Sequence, residues 1–244
     1  MIALLDGDIY AFRSAASSEN DDLGIAIYRC EEMIDNTLSQ TGADEFKIFL
    51  SGDNNFRYKI YPEYKAHRKE EKPRHLKDVK QHLIEKYNAE VSDGCEADDL
   101  LGIAQDKYGE DHWTGASKYS TIICSLDKDL RMIPGKHYSF EISGTSPLGK
   151  KWVRPMEILE VSPEDALKTF YTQLLTGDPA DNIKGAAGIG KVKAAKILQD
   201  LYTEKDMFEA VEAYYSSEEE LRMNGQCLWI FRKPDNIWEI PKFE

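Results

Sequence analysis

The chain lacks the features that mark disulfide-rich, membrane-spanning and repetitive proteins. Its 244 residues contain only four cysteines, at positions 30, 95, 124 and 227, and these form no C-x-x-C pair. Widely spaced cysteines in apolar surroundings are expected to be reduced core thiols, which fits a reducing compartment. The sequence has no run of eighteen apolar residues, no charged-then-apolar leader, no internal repeat and no low-complexity tract. We therefore expect neither a membrane span nor a cleaved signal peptide.

Basic residues are also scarce, with 31 lysines and arginines against 44 acids and a formal net charge of −13. This balance argues against a general affinity for polyanions. The positive charge is concentrated, however, because residues 57–86 hold ten basic against five acidic residues and residues 184–196 hold four lysines and no acid. Two basic islands on an acidic body suit a protein that binds a polyanion at chosen places. Solvated helix faces would give the same pattern, so charge alone leaves both interpretations open.

Three short apolar runs are each followed by carboxylates. They are Ile2–Leu5 before Asp6, Phe46–Leu50 before Asp53, and Thr121–Cys124 before Asp127 and Asp129. Runs that are short and continuously apolar predict buried parallel strands. Because ligands collect beyond the carboxyl ends of such strands, we expect these acids to converge on one edge of a sheet. Like charges at close range in that place predict bound divalent cations.

Helical patterns between these runs predict an α/β fold with a doubly wound, mostly parallel sheet. A helix is predicted over residues 23–40, ending at Gly42, because the apolar spacing stops there and glycine is a common residue after a helix. Further helices are predicted over residues 76–87 and from near Glu96, and residues 136–154 predict a short hairpin or strand pair.

The second half of the chain predicts helices from Ser162 onward. Serine, proline and two acids in succession form a good helix start, because they supply the cap, the first turn and charges that suit the positive end. We therefore expect four parts: a sheet domain (1–160), a long polar segment within it (54–82), a helical region (161–217) and a C-terminal aromatic strap packed on the body (218–244).

Two further acidic clusters flank predicted helices. Glu96, Asp98 and Asp99 lie within one turn of a helix start, and Asp178 and Asp181 follow the long predicted helix. Oxygen ligands without histidine or cysteine select Mg²⁺ or Mn²⁺ over zinc. A second ion beside the first would hold the attacking and leaving oxygens of a phosphodiester in line. Each acid alone could be a helix cap, a turn residue or a surface charge; the joint pattern favours a metal site.

A glycine cluster at residues 185–190 precedes a helix-like stretch. Small residues let the backbone approach a phosphate closely, and the amides at the start of the following helix point outward as donors. The pattern indicates a helix-hairpin-helix turn around Gly188 and Gly190, with charge from Lys191 and Lys193. It lacks the spacing of a nucleotide-binding P-loop. An ordinary glycine-rich connection is the alternative, and the acid-free helix favours binding to a nucleic-acid backbone.

Six motifs occur in one order along residues 2–201. They are Asp6-Gly7, Asp53 with Phe56-Arg57, Tyr64-Lys65-Ala66-His67-Arg68, Glu96-Ala97-Asp98-Asp99, Asp127-Lys128-Asp129, and Gly177-Asp178-Pro179-Ala180-Asp181-Asn182-Ile183 with Gly188-Ile189-Gly190. This set resembles the flap endonuclease and 5′-nuclease family. The resemblance implies a PIN-like sheet domain with a helical arch at residues 54–82 and a C-terminal helix-hairpin-helix region. The aromatic tail after Asn224-Gly225-Gln226 is similar to that of short phage-encoded 5′-exonucleases.

The resemblance also implies the members of the catalytic site. Metal ligands are expected at Asp6, Asp53, Glu96, Asp98, Asp99, Asp127 and Asp129, and at Asp178 and Asp181 for a second ion. Lys65 and Arg68 match the basic pair of the arch and would neutralise the scissile phosphate beside the catalytic acids Asp6 and Asp127. Asp8 is expected to be an acid outside the inner ligand set.

The DNA contacts that the resemblance implies lie on both sides of this site. They are expected at Arg13, Arg57, Tyr64, Lys65, Arg68, Gly188, Gly190, Lys191 and Lys193, with Tyr64 stacking on a base. Potassium at the hairpin carbonyls is a further expectation of the family. The partner would be DNA with a 5′ end, nick or flap, or an RNA–DNA hybrid, bound by a monomer in the cytoplasm, or in the host cytoplasm if the chain is phage-encoded.

The sequence thus predicts a Mg²⁺-dependent, structure-specific 5′-nuclease of phage DNA replication or RNA primer removal. A haloacid-dehalogenase-like phosphatase is an alternative, because Asp6-Gly7-Asp8 and Gly177-Asp178 imitate two of its motifs, with Asp6 as nucleophile. That chemistry needs neither the acids at 96–99 nor the glycine hairpin. A non-catalytic DNA-binding scaffold is the other alternative, but it leaves the acids unexplained because unpaired carboxylates repel DNA.

Overall fold

The central element is a six-stranded sheet, counted over the part of the chain that the structure describes. The computed structural model describes residues 1–68, 71–109, 120–146 and 149–243. In sheet order the strands are β3 (Glu90–Val91), β2 (Glu45–Leu50), β1 (Ile2–Asp6), β4 (Thr121–Cys124), β5 (Gly135–Ser139) and β8 (Glu157–Val161). The first five run parallel and β8 pairs antiparallel with β5. The predicted α/β fold with a mostly parallel sheet is confirmed.

Two short strand pairs lie outside this sheet. Strands β6 (Ile142–Thr145) and β7 (Lys151–Arg154) form an antiparallel hairpin, which covers the second part of the segment predicted to pair, while its first part is β5 of the main sheet. Strands β9 (Gly177–Asp178) and β10 (Ile183–Lys184) also pair antiparallel. This second pairing closes the loop that carries the last acidic motif.

The central strands are buried on both faces, as their continuous apolar sequence predicts. Leu4 and Leu5 are fully buried, and because successive side chains of a strand point to opposite faces, they belong to two different apolar clusters. In the ladder Leu5 lies opposite Ile48 of β2 and Cys124 of β4. This parallel register brings the carboxyl ends of β1, β2 and β4 to one edge of the sheet.

Helices cover both faces of the sheet. They are α1 (Gly7–Ser17), α2 (Leu23–Thr41), α3 (Arg57–Ile60), α4 (Leu76–Tyr87), α5 (Ala97–Gly109), α6 (Pro163–Thr176), α7 (Lys191–Leu198), α8 (Glu204–Glu212) and α9 (Glu218–Leu228). Helix α2 ends as predicted at Gly42, whose φ of 65° is left-handed. Helix α1 was not predicted. Its first turn immediately follows β1, so no loop separates the two patterns.

The helices after residue 161 share an apolar core with one face of the sheet. Leu4 of β1, Phe170 of α6 and Trp229 after α9 belong to one buried cluster. Trp238 is 5% exposed, and its ring lies where a side chain on Gly225 would be, only 2.1 Å from the expected Cβ position. The C-terminal residues therefore pack closely, while the division into a sheet domain and a helical region stays a prediction.

Parts of three predicted segments lie outside the described residues: 69–70 of the arch, 147–148 of the hairpin and 244 of the strap. Among the residues that are described, no helix is long and apolar enough to cross a membrane.

Candidate active site

An open cleft of about 1050 Å³ lies at the carboxyl edge of the sheet. Its walls carry nine carboxylates from distant parts of the sequence: Asp6, Asp8, Asp53, Glu96, Asp98, Asp127, Asp129, Asp178 and Asp181. We call this space the acidic cleft. Five basic residues line it as well, Lys65, Arg68, Lys72, Lys80 and Lys128. The strand ends and the two helix-flanking acidic clusters thus meet in one place.

Asp6 lies at the junction of β1 and α1. Its side chain caps the helix by accepting a hydrogen bond from the backbone N–H of Ile9 (3.3 Å), and it accepts a second from Ser125 Oγ (2.6 Å). Asp6 is only 3% exposed. Burial, with smaller contributions from the negative charges of Asp8 and Asp127, raises the pKa of Asp6 from 3.8 to about 7.

Asp98 and Asp127 face Asp6 across the cleft. Burial is the main cause that raises the pKa of Asp98, and the charges of Asp6, Asp127 and Glu96 add to it. Burial also raises the pKa of Asp127, although its Oδ1 accepts a hydrogen bond from the backbone N–H of Asp129 (2.8 Å). These carboxylates therefore repel one another in surroundings where water screens them poorly.

Asp129 belongs to the other side of the same cluster. Burial, then the charges of Asp127, Asp178 and Asp181, raise its pKa to about 7. Gln173 of α6 donates a hydrogen bond to Asp129 Oδ1 (2.6 Å). Sequence analysis missed this glutamine, because nothing in its helical surroundings distinguishes it from other α6 residues.

Asp178 caps, and Asp181 ends, a 3₁₀ turn (Pro179–Asp181) between β9 and β10. Asp178 accepts a hydrogen bond from the backbone N–H of Ala180 (2.8 Å), and burial raises its pKa. The charges of Asp127, Asp129, Asp178 and Asp181 affect one another. They form a second half of the acidic cleft next to the Asp6 half, and Asp127 is common to both.

Basic side chains from residues 61–68 pair with acids of the cleft. Arg68 Nη2 lies 2.6 Å from Asp181 Oδ1. Lys65 Nζ contacts Glu96 and lies 3.6 Å from Asp181 Oδ2. Lys65 has a left-handed φ of 55°, and its backbone N–H donates to the carbonyl of Asp181 (3.1 Å). The segment is therefore attached to the 178–182 loop by both side chains and backbone.

The donor set fits a hard divalent cation. All of its acidic side chains would bind through oxygen. Five of these carboxylates have raised pKa values that a nearby cation would lower: Asp6, Asp98, Asp127, Asp129 and Asp178. In the arrangement described, no group of three acidic, histidine or cysteine side chains within the described ranges encloses one ion position. Glu96 and Asp181 are paired with Lys65 and Arg68 instead.

The glycine cluster forms an exposed turn before α7. Gly188 has a left-handed φ of 73°, and Gly190 caps α7. Ile189 between them is buried and anchors the turn in the core. Lys191 and Lys193 at the start of α7 are exposed, and Lys193 Nζ lies 5.4 Å from the ring centre of Tyr214.

Residues 1–154 match the family model described as the 5′-3′ exonuclease, N-terminal resolvase-like domain. The chain belongs to this 5′-3′ exonuclease family. The resemblance found in the sequence motifs is confirmed.

Relatives of this chain include two proteins named as nucleases and segments of larger polymerases. Flap endonuclease Xni of Colwellia psychrerythraea is 28% identical over 76% of this chain and 62% of its own length. The 5′-3′ exonuclease of Buchnera aphidicola is 26% identical over 88% of the chain and 75% of its length. DNA polymerase I of Bacillus caldotenax is 24% identical over 95% of the chain. The chain spans about a quarter of the length of this and the other similar polymerases.

Solved structures of bacteriophage T5 share the exonuclease fold. The T5 D15 flap endonuclease, solved as a pseudo-enzyme-product complex with DNA and metal ions, has a TM-score of 0.62 at 17% identity over 97% of this chain and 90% of its own. The T5 D15 protein co-crystallized with metal ions has a TM-score of 0.61 at 16% identity over the same share of each chain. At such identities the likeness concerns the fold.

The structure contradicts three sequence predictions at this site. Asp99 was expected to bind metal, but it is fully buried, does not line the cleft and forms a two-pronged ion pair with Arg57. Arg57 was expected to contact DNA, but it is 2% exposed and its guanidinium donates four hydrogen bonds within the protein. Tyr64 was expected to stack on a base, but it is also 2% exposed, and its hydroxyl lies 2.7 Å from Asp181 and 2.9 Å from Glu96. The sequence motifs do not show that these three side chains are buried.

Of the other predicted residues, Asp8 and Asp53 line the cleft, whereas Arg13 does not. Asp53 is exposed on its rim. Asp8 pairs with Lys80 (2.6 Å) and accepts from the backbone N–H of Ser51 (3.0 Å). Arg13 of α1 lies over the ring of Phe140, 5.2 Å from its centre, and burial lowers the pKa of the arginine. Its role as a DNA contact stays a prediction.

Proposed function

We propose that the chain is a Mg²⁺-dependent, structure-specific 5′-nuclease that hydrolyses DNA phosphodiesters as a 5′-to-3′ exonuclease and flap endonuclease. The observation that carries this proposal is the acidic cleft, where carboxylates from β1, the loop after β4, the start of α5 and residues 178–181 lie beside Lys65 and Arg68. The names of the relatives, among them a flap endonuclease and a 5′-3′ exonuclease, support the same activity.

We assign the proposed metal ligands to two ions, one in each half of the cleft. Asp6, Glu96, Asp98 and Asp127 would hold one ion, and Asp129, Asp178 and Asp181 would hold the second beside Asp127. Mg²⁺ or Mn²⁺ at these places would supply Lewis acidity to a scissile phosphodiester. Ser125 orients Asp6, and Gln173 orients Asp129, since each donates a hydrogen bond to the carboxylate. Asp53 on the rim would act at longer range.

Lys65 and Arg68 would exchange partners when DNA enters. In the structure they neutralise Glu96 and Asp181. Once divalent cations bind these acids, the ammonium and guanidinium groups become available to a phosphate a short distance away. They would then stabilise the negative charge that grows on the phosphoryl oxygens during hydrolysis. No residue in this scheme forms a covalent bond with the substrate.

The exposed turn at Gly188 and Gly190 would bind the duplex as a helix-hairpin-helix. Its amides and the charges of Lys191 and Lys193 can contact phosphates, and none of them reads a base edge, so specificity would be for DNA structure. Potassium at the turn carbonyls would fit the same geometry. RNA–DNA hybrids are a second substrate class. We place the enzyme as a cytoplasmic monomer in DNA replication or RNA primer removal, of a phage if the gene is phage-borne.

The test is cleavage of a 5′-labelled flap and a nicked duplex, with Mg²⁺ and with EDTA. We expect short labelled products with Mg²⁺ only, and a loss of about 100-fold or more in rate for Asp127→Asn with DNA binding retained. Asp35→Asn serves as the matched control, because Asp35 is an exposed acid on α2, outside the cleft.

Each alternative function has its own result in the same experiment. Release of phosphate from p-nitrophenyl phosphate without cleavage of the flap would indicate the phosphatase. Binding of DNA without any product would indicate the scaffold. Either outcome would refute the proposed nuclease.

A further inference from the structure

A buried ion pair lies directly behind the acidic cleft. Arg57 Nη1 is 2.6 Å from Asp99 Oδ2, and Arg57 Nη2 is 2.9 Å from Asp99 Oδ1. The guanidinium also donates through Nε to the carbonyl of Cys227 (2.8 Å) and through Nη2 to the carbonyl of Trp229 (2.7 Å). Arg57 therefore joins the base of the polar segment to the chain just after α9. A planar, five-donor group is needed to satisfy all of these acceptors at once.

The carboxylate of Asp99 completes the junction from the other side. Its Oδ2 accepts a hydrogen bond from the backbone N–H of Glu96 (2.9 Å), and its Oδ1 accepts one from the backbone N–H of Phe231 (3.0 Å). Asp99 lies in the first turn of α5, next to Asp98. One side chain thus connects the start of α5, where the cleft acids Glu96 and Asp98 lie, to the C-terminal residues.

We propose that Arg57 and Asp99 are a positioning pair through which residues 227–231 hold Glu96 and Asp98 in the acidic cleft. This inference rests on the proposed nuclease function and names residues that serve it without touching metal or DNA. The C-terminal residues would accordingly be part of the active site's support.

Two further contacts extend this support to the base of the arch. The ring of Phe56, next to Arg57, stacks on Phe231 with centroids 5.0 Å apart and planes 17° from parallel. Arg57 Nη1 also lies 3.7 Å from Glu96 Oε2. The same few residues therefore hold the start of α3 and a cleft carboxylate together. A displacement of about 1 Å at such a carboxylate can lower a catalytic rate about 100-fold.

The test compares Arg57→Lys, Asp99→Asn and the double variant. Lysine keeps the charge but cannot form the two-pronged pair. We expect each single variant to lower kcat on a 5′-flap substrate about 10-fold or more, with KM within about twofold, and to weaken Mn²⁺ binding, followed by its electron paramagnetic resonance without DNA. The double variant should lose no more than the worse single variant, because both remove one interaction. Arg222→Lys, in an exposed pair on the same α9, is the matched control and should match the unaltered protein.

Several results would overturn the proposal. A lower Mn²⁺ affinity for Asp99→Asn alone, with Arg57→Lys unaffected, would make Asp99 a metal ligand. If the losses of kcat in the two single variants add in the double variant, the pair is only structural. The same conclusion follows if kcat is unchanged at a temperature where circular dichroism shows folded protein. If the variants of Arg57 and Asp99 do not fold, Phe231→Leu tests the proposal instead. It removes the stacking on Phe56 and keeps the backbone N–H that donates to Asp99. It should lower kcat about threefold with unchanged KM, and an unaltered kcat would refute the idea.

The failure of the proposed function gives a different result. If the unaltered protein cleaves no DNA under any condition, the nuclease proposal fails. The positioning pair is then judged from Mn²⁺ affinity alone, where equal weakening in both single variants supports it and equal affinity in all proteins rejects it.

Discussion

Stability of the metal-free protein should fall as pH rises through neutrality, opposite to the behaviour of an ordinary paired carboxylate. The pKa of Asp6 is about 7 in the folded protein against an ordinary 3.8, so the folded state binds the proton more tightly than the unfolded state. Stability that depends on this proton is present at low pH and is lost as pH rises through the folded pKa. Burial and then neighbouring negative charges raise the pKa of Asp129 to about 7. Loss of the Asp129 proton therefore also lowers stability as pH rises.

The size of the effect follows from these values. Between pH 5 and pH 7 the carboxyl of Asp6 is ionised in the unfolded protein but still protonated in the folded protein. The free energy of unfolding therefore falls with its full slope over about two pH units. At about 1.4 kcal/mol per unit this predicts a loss of about 3 kcal/mol by pH 8 from Asp6 alone. For a chain of this size that is roughly 6–12 °C in melting temperature. A variant with Asn in place of Asp6 should lack this part of the dependence.

The assay is urea unfolding in EDTA at pH 5, 6, 7 and 8, for the unaltered protein and Asp6→Asn. The difference between the two proteins isolates Asp6 from His137, whose burial lowers its pKa to about 4 and makes stability rise with pH below its ordinary value of 6.5. Saturating Mg²⁺ should reverse the slope, since the cation binds only ionised carboxylates. A free energy of unfolding that rises equally with pH in both metal-free proteins would refute the reasoning.

Three other predictions concern charge and backbone conformation. Lys65→Ala should raise Mn²⁺ affinity about fivefold or more without DNA, because it removes a competing cation worth about 1 kcal/mol, and should lower the rate of flap cleavage about 100-fold; weaker Mn²⁺ binding by electron paramagnetic resonance would contradict this. Lys191→Ala with Lys193→Ala should weaken DNA binding and reduce the slope of log K against log salt by about 0.9 per lost contact, measured by fluorescence anisotropy; an unchanged slope would remove the turn from the interface. Gly188→Ala should cost about 1–2 kcal/mol in urea unfolding, because alanine is strained at a φ of 73°, whereas Gly24→Ala, with free space around it, should cost nothing.

The sequence predicted the sheet and the place of the site because those depend on local patterns. An apolar run such as Ile2–Leu5 can be satisfied only by burial on both faces, and parallel pairing then sends Asp6 to the same edge as Asp127. The end of α2 at Gly42 was predictable for a similar reason, since a left-handed residue there suits glycine. These features need no knowledge of distant contacts.

The roles of individual charged and aromatic residues depended on distant contacts and were not predictable. Asp98 and Asp99 are adjacent acids on one helix, and only the positions of Arg57 and of residues 227–231 decide which of them faces the cleft. Tyr64 looks like an exposed aromatic in a basic segment, yet it is buried between Glu96 and Asp181. The charge pattern identified the segment correctly as basic but could not show that its cations pair within the protein.

The ion pairs of the metal-free cleft link metal binding to DNA binding under the proposed function. Lys65 and Arg68 neutralise Glu96 and Asp181, which are proposed metal ligands, and the same two cations are proposed to bind a DNA phosphate. Metal binding would then free the cations for DNA, and DNA that binds the cations would free the acids for metal. By thermodynamic linkage each ligand must then strengthen the other by the same factor. A cleft with so many carboxylates can thus remain folded without its ions and still bind both ligands together.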